Sequence, residues 1–322
     1  MGVVGLDIGK LTFVACLILD KKLVKQEFEN HDEGFQQLLE WVKNYDNASL
    51  HYCMESTGKY GYALAHYLYS QKEIISIVNP AKIKYFGKSF LLRNKTDKVD
   101  AELIAKFCQA RHPRSWKPKS ANINRLSALL KRVNQLTLMK IQETNRLEAE
   151  ESSEIIQYIE SIISSFNKQV DHIQKEMKAL IEADEELSLK SGWLKSIKGV
   201  GDRTIQLILA NFSDIENFSH PKQLCAFMGI NAGQRQSGSS LDSSSMSKMG
   251  NPYFRKMLYM PTLNAIVHNP IIKEFYQRLV SGGKPKKLAV CAAMRKLVFI
   301  IFGVLKNKRQ FDPTYLSTMK KN

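Results

Sequence analysis

Metal-binding cysteine pairs are missing from this chain. Its five cysteines (Cys16, Cys53, Cys108, Cys225, Cys291) are odd in number and scattered, with no C-x-x-C motif or Cys/His cluster. That argues against a disulfide framework and a structural zinc, and leaves the thiols as core residues. No apolar run reaches the roughly 18–20 residues that span a bilayer, Val298–Leu305 being too short. The N-terminus opens a strand instead of a charged-then-apolar leader, so no membrane partner is expected and the cytoplasm is the expected location. Proline and glycine are absent from Ile123 to Ile181, which removes the usual breakers from a long helical stretch. Acidic residues are scarce toward the C-terminus. From Leu189 onward 21 Lys/Arg face 6 Asp/Glu, a net +15 out of +16 for all 322 residues. A basic region attached to a balanced one calls for a polyanionic partner, most simply nucleic acid.

What is present fits a soluble chain of two or three domains, with 44% apolar and 24% charged residues. The opening VVGLDIGKLTFVACLILD and KKLVKQEFEN read as two antiparallel strands with a turn at Leu19–Lys22 and a third strand after it. A helix over Gly34–Tyr45, a strand ending at Glu55, a helix over Tyr60–Ser70 and a strand in IISIVNP follow. Strands first, then alternation with helices, indicate a mixed α/β sheet. RHPRSWKPKSAN is a Pro/Lys-rich linker. Beyond it Ile159, Ile163, Phe166, Val170, Ile173, Met177 and Leu180 form a heptad seam. A helical hairpin and a helix pairing with another chain fit that seam equally well. SGWLKSIKGVGDRTIQLILANF reads as helix, tight glycine turn, apolar helix: a helix-hairpin-helix-like element able to hold a phosphate at the second helix's start. A serine-rich loop and further amphipathic helices complete the chain.

Four carboxylates stand where elements end. Asp7 closes an apolar strand in GLDIGK and Glu55 closes another in HYCMEST, while Asp97 and Asp100, at i and i+3, share one helix face. Taken singly each has a plain structural explanation as turn residue, helix cap or dipole partner. Jointly they are four oxygen donors from three elements, the kind of set that holds hard divalent cations on phosphodiester substrates. Arg93, Lys95, Lys98 and Lys106 ring the helix pair and are expected to meet phosphate. GLDIGK also resembles the first phosphate loop of the actin/sugar-kinase fold, but that fold needs a glycine-rich adenosine site further on, for which SGG at 281–283 is only a weak candidate. Seven serines lie between Ser237 and Ser247, bordered by Arg235, Lys248, Arg255 and Lys256. A solvated linker is the ordinary reading of such a stretch, although serine also attacks phosphorus when cations stabilise the developing charge.

GLDIGK, MESTGKY, NKTDKVDAELIAKF, SIKGVGDRTI and the RQSG…SKMGNPYFRKML block, in this order, resemble the DEDD-type transposases of bacterial insertion sequences related to the Piv DNA invertase. The resemblance covers nearly the whole chain. It implies an RNase H-like, RuvC-like first domain (1–112) in which Asp7, Glu55, Asp97 and Asp100 hold Mg²⁺, with Mn²⁺ as a substitute. A helical coiled-coil dimerisation region (113–188) and a mostly α-helical transposase domain (189–322) would follow. Ser237 would be the nucleophile of a covalent phosphoserine intermediate, with Ser239 and Ser240 as further candidates. The implied partners are donor and target DNA, a noncoding bridge RNA that supplies sequence choice by pairing, and copies of the chain itself as a dimer, or a tetramer on DNA. Lys95, Lys98, Lys198, Arg203, Arg235, Lys248, Arg255 and Lys256 would supply backbone affinity, and the bacterial nucleoid would be the working location. Two other functions compete: a junction-resolving nuclease acting through water, and a nucleic-acid-binding protein without activity.

Overall fold

The computed structural model describes residues 2–19, 22–45, 50–56, 58–88, 97–212, 214–215, 218–236, 242–246, 250 and 252–313, which fall into two compact units, Met1–Lys119 and Ser120–Asn322.

The first unit is built on five strands: β1 (Val3–Ile8), β2 (Thr12–Leu19), β3 (Lys22–Glu29), β4 (His51–Glu55) and β5 (Ile74–Val78). They lie in the order β3-β2-β1-β4-β5, antiparallel in the first half and parallel in the second. This is the mixed α/β sheet expected from the sequence. Both faces are covered, which is why β1 and β2 are apolar apart from Asp7 and Thr12 near their ends. Val4, Leu6 and Ile8 pack with Phe35 and Leu38 of α1 (Asp32–Lys43) and Leu64 and Leu68 of α2 (Tyr62–Ser70). Val3, Cys16 and Cys53 face the other way, toward Ile83 of α3 (Pro80–Lys88) and Ala101, Ile104 and Ala105 of α4 (Asp97–Arg111). After α4 the chain closes the β5 edge: Trp116 donates its amide to the Ile75 carbonyl at 2.6 Å, and the Ser76 hydroxyl donates to the carbonyls of Pro113 and Arg114.

α4 sits unusually close to β1. A methyl group on Gly5 would overlap the Ala101 carbonyl oxygen and the Ala105 amide, and would lie 2.8 Å from the Ala105 Cα. Only glycine lets helix backbone meet strand backbone there.

The second unit opens on a helical hairpin, α5 (Ala121–Ala149) and α6 (Ser153–Ala183). Of the seam residues, Ile159 and Met177 are buried and the other five half-buried. At the base, Asn122 donates to Asp184 at 2.8 Å, and Asp184 also caps α7 (Glu185–Lys195) by accepting from the Leu187 amide. Ile123, Leu126, Met177 and Ile181 join one core with α8 (Asp202–Phe212), α9 (Pro221–Met228), α10 (Pro252–His268), α11 (Pro270–Ser281) and α12 (Lys286–Lys306). Near the tip Leu138, Met139, Ile155 and Tyr158 are exposed.

Two expectations are corrected. The serine-rich stretch is not a plain loop, because β6 (Ala232–Gln236) and β7 (Asp242–Met246) pair antiparallel, Gln236 opposite Asp242. And α12 is long and apolar enough to cross a membrane by length and composition, where no such run was expected. Eleven of its residues are buried in the unit's core, and Arg295 and Lys296 interrupt it. It is the central helix of a packed bundle.

Gly5→Ala should destabilise the first unit by about 3 kcal/mol, the upper range for overpacking. Thermal unfolding of the full chain followed by circular dichroism should show the first-unit transition lowered. An unchanged transition would mean α4 can move off β1 freely.

Candidate functional site

Strand register carries Asp7 and Glu55 to the same place. β1 and β4 are parallel with Gly5 beside Cys53 and Leu6 beside Met54, so Asp7 and Glu55 are one step further at the carboxyl ends. Side chains alternate. Cys53 faces α4, and Gly5 faces it too, so Asp7 and Glu55, each two residues on, belong to the α4 face. Both are half-buried.

The start of α4 is brought to that level by its antiparallel run along β1. Cys108 Sγ lies 3.7 Å from the His51 carbonyl oxygen, and His51 is paired with Val3. Ala101 and Ala105 straddle Gly5. Two strand residues advance about 6.6 Å, the rise of four to five helical residues. Each step from Val3 to Gly5 to Asp7 therefore moves back between four and five residues on α4, from 108 through about 103–104 to about 99. Asp97 and Asp100 flank that position. Asp100 is half-buried, while the side chains of Asp97 and Lys98 lie outside the described residues, as does Lys95. Among the described residues no three Asp, Glu, His or Cys side chains are gathered closely enough to hold an ion. What the fold provides is Asp7 and Glu55 at the carboxyl ends of β1 and β4 and the first turns of α4, which carry Asp97 and Asp100, toward the same end of the sheet; carboxylates are the donor type that hard divalent cations take.

The lysine ring is partly committed elsewhere. Lys106 lies 2.6 Å from Glu102 and Lys25 of β3 lies 2.5 Å from the same carboxylate. These hydrogen bonds hold Glu102 below the usual carboxylate range, against the opposing effect of burial. Lys25 thus braces α4 against β3 through Glu102, and Lys106, four residues further along the same helix, shares that carboxylate. A hydrogen bond from Cys53 holds the Cys108 thiol below the ordinary thiol range, with burial opposing it.

In the second unit the expected serine nucleophile Ser237 lies outside the described residues, with Ser239, Ser240 and Lys248. Both ends of its segment are nevertheless fixed. Gly229 ends α9 in the left-handed region at φ 70°, and Gly250 has φ 126°. A methyl on Gly250 would lie 2.6 Å from the Gly229 amide nitrogen and 2.7 Å from its Cα. The Arg255 guanidinium donates to the carbonyls of both glycines at 3.4 Å. Arg255, expected as a nucleic-acid contact, thus ties the two ends of the serine ribbon together. Arg235 lies on β6, its side chain outside the described residues; Lys198, Arg203 and Lys256 are exposed. Lys198 sits in the turn between α7 and α8, where Gly199 has φ 96° and packs against the backbone of α10 at Ala265. Sequence reading named neither Gly229 nor its contact with Gly250, although the KMGN motif was its signal. It also passed over Lys82, Tyr85, Arg111 and Arg114, which the basic and aromatic interleaving of PAKIKYFGK and RHPR marks.

Gly250→Ala should spread the base of the ribbon and destabilise the second unit by about 1–3 kcal/mol, as for other strained or overpacked sites. A thermal melting curve of the full chain checks this, and an unchanged transition would contradict the pinned-base geometry.

Residues 4–150 match a family model for the DEDD-type IS110 transposase, and residues 192–277 match the model for the transposase IS116/IS110/IS902 family. The pilin gene-inverting proteins of Moraxella bovis and Moraxella lacunata are each 34% identical over 313 residues, covering 96% of this chain and 97% of theirs. The transposase for insertion sequence element IS1111A of Coxiella burnetii is 25% identical over 215 residues, 56% of this chain and 57% of that one. A DEDD-type domain is RNase H-like and implies use of a divalent metal, and the five-stranded mixed sheet with acids at one end is consistent with both. The chain belongs to the IS110/IS116/IS902 transposase family, enzymes that rearrange DNA.

Proposed function

We propose that this protein cuts and rejoins DNA strands at the ends and target of an insertion sequence, using a carboxylate site in the first unit and a serine nucleophile in the second. The observation that carries the reading is the register of β1, β4 and α4, which brings Asp7, Glu55, Asp97 and Asp100 to one level. These four would hold Mg²⁺ or Mn²⁺, which when bound supplies positive charge to the phosphodiester oxygens. Ser237 Oγ would form a bond to phosphorus as the bond to the leaving sugar oxygen breaks, and that oxygen takes up a proton. Rejoining is the reverse, with the sugar hydroxyl of the new strand displacing the serine. The contact of Gly229 with Gly250, the arginine tying them and the paired strands β6 and β7 support a serine presented at a fixed place and not on a free linker.

The remaining parts follow the same reading. Lys198, Arg203 and the other exposed cations of the second unit would hold phosphate backbones, with the α7–α8 turn acting as a helix-hairpin-helix-like element. Residues 1–112 would serve as the RuvC-like catalytic part, 113–188 as a coiled-coil oligomerisation part and 189–322 as the serine-bearing part. The exposed Leu138, Met139, Ile155 and Tyr158 support pairing of hairpins between copies. A bridge RNA would supply sequence choice through base pairing, and the work would take place on the nucleoid in the bacterial cytoplasm.

A suicide DNA substrate tests the chemistry. The wild-type chain should form a covalent protein–DNA adduct, absent in Ser237→Ala, and Asp100→Asn should bind DNA normally yet lose cleavage by at least about a hundredfold, the scale of losing a transition-state contact of about 2.7 kcal/mol or more. Metal-dependent nicking with no adduct would make the protein a hydrolytic resolvase-type nuclease. Unimpaired cleavage by Asp100→Asn would return the acid pair to helix capping. Loss of target selection after RNase treatment is the expected result for the guide RNA.

A further inference from the structure

A cavity of about 620 Å³ opens on the α3 side of the β5 edge, lined by Val78, Lys82, Tyr85, Phe107, Arg111 and Arg114 among others. Its composition differs from its surroundings. Three cations line it and, among the described residues, no Asp or Glu does; none of the three cations forms an ion pair with a described residue. Tyr85 is 61% exposed, far more than an aromatic ring held for packing alone. Lys88 Nζ stands 5.6 Å from the centre of that ring, adding positive charge beside it. The floor is apolar, with Phe86 meeting Phe107 edge to face at 5.4 Å. Gly87 lets α3 settle on Leu103 of α4, which fixes the two walls of the cavity.

The cavity begins beside the acid end of the sheet. Val78 is paired with Glu55, and the Ser56 amide donates to the Val78 carbonyl at 2.9 Å. A strand whose phosphate lies at the acids is thus one residue away from this wall. Duplex DNA presents phosphates and base edges, whereas an exposed ring offers its face, which only an unpaired base can cover. Cations spaced around an exposed ring over an apolar floor are the chemistry of a single-strand tract, with stacking for the base and ammonium and guanidinium groups for the flanking phosphates.

We propose that this groove holds unpaired DNA adjoining the phosphate placed at Asp7 and Glu55, one base stacking on Tyr85 and the flanking phosphates lying on Lys82, Arg111 and Arg114. The groove rests on the carboxylate reading for its direction, but its binding is a separate property. It makes Tyr85 and the three cations positioning residues, which hold the strand and take no part in bond making.

Titration of the full chain with a fluorescein-labelled single-stranded oligodeoxynucleotide of about ten residues, read by anisotropy over a range of salt, tests it. Tyr85→Ala should weaken binding by about 5- to 150-fold, the effect of losing one stacked base, and Tyr85→Phe should restore it. The Lys82→Ala/Arg111→Ala/Arg114→Ala variant should lower the slope of log affinity against log salt by about 2, from about 0.7 per single-strand phosphate contact. Circular dichroism should show each variant folded. Unchanged affinity in Tyr85→Ala together with an unchanged slope overturns the proposal, as does a loss confined to an RNA oligonucleotide of the same sequence or to duplex DNA. Asp100→Asn separates the two readings. If it still cleaves while the groove variants lose single-strand binding, the groove stands and the acid site falls; if it is inactive while the groove variants bind normally, the reverse holds.

Discussion

The contact between α4 and β1 at Gly5 governs what the first unit can do. Helix backbone rests on strand backbone with no side chain between them. Because the helix can approach no closer and has no side chain to slide over, its register along the strand is fixed. That register converts two features far apart in sequence, a strand ending in Asp7 and a helix beginning at Asp97, into neighbours at one end of the sheet. The parallel pairing of β1 with β4 adds Glu55 at the same level. Glu102, held by Lys25 and Lys106, prevents the helix from turning about its own axis. Packing thus brings the three elements together at this end of the sheet.

The second unit solves a related problem with a different device. A serine-bearing ribbon extending from a helical bundle needs a rigid base if it is to present one hydroxyl reproducibly. Here two glycines with positive φ touch, and one arginine donates to both of their carbonyls. A side chain at Gly250 would force the ends of the segment apart. The bundle beneath is anchored by α12, whose length and apolarity reflect burial against α7, α9, α10 and α11.

Much of this was legible in the residues. The strands ending at Ile8 and Glu55 and the helix beginning at Asp97 could be read because apolar periodicity and acid spacing are strong local signals. Other parts were not. The β6–β7 ribbon, AGQRQ and DSSSM, is mostly small and polar, so it carries no alternation of apolar and polar residues and left only a weak mark in the sequence. The role of Gly5 was invisible because it depends on a helix almost a hundred residues away. The pairing of Lys25 with Glu102 was invisible because it joins β3 to α4 across 77 residues of sequence. The groove beside Val78 combines α3, the end of α4 and the linker, three segments whose closeness exists only once the sheet has formed.

The central claim is that Asp7 on β1 and Asp100 on α4 serve one shared site because of the register at Gly5. Mn²⁺ binding to the full chain, measured by electron paramagnetic resonance for wild type, Asp7→Asn, Asp100→Asn and the double variant, tests this most directly. Shared ligation predicts that each single substitution weakens binding and that the double variant is much less impaired than the product of the two losses. Losses that multiply independently, or single substitutions without effect, would contradict it.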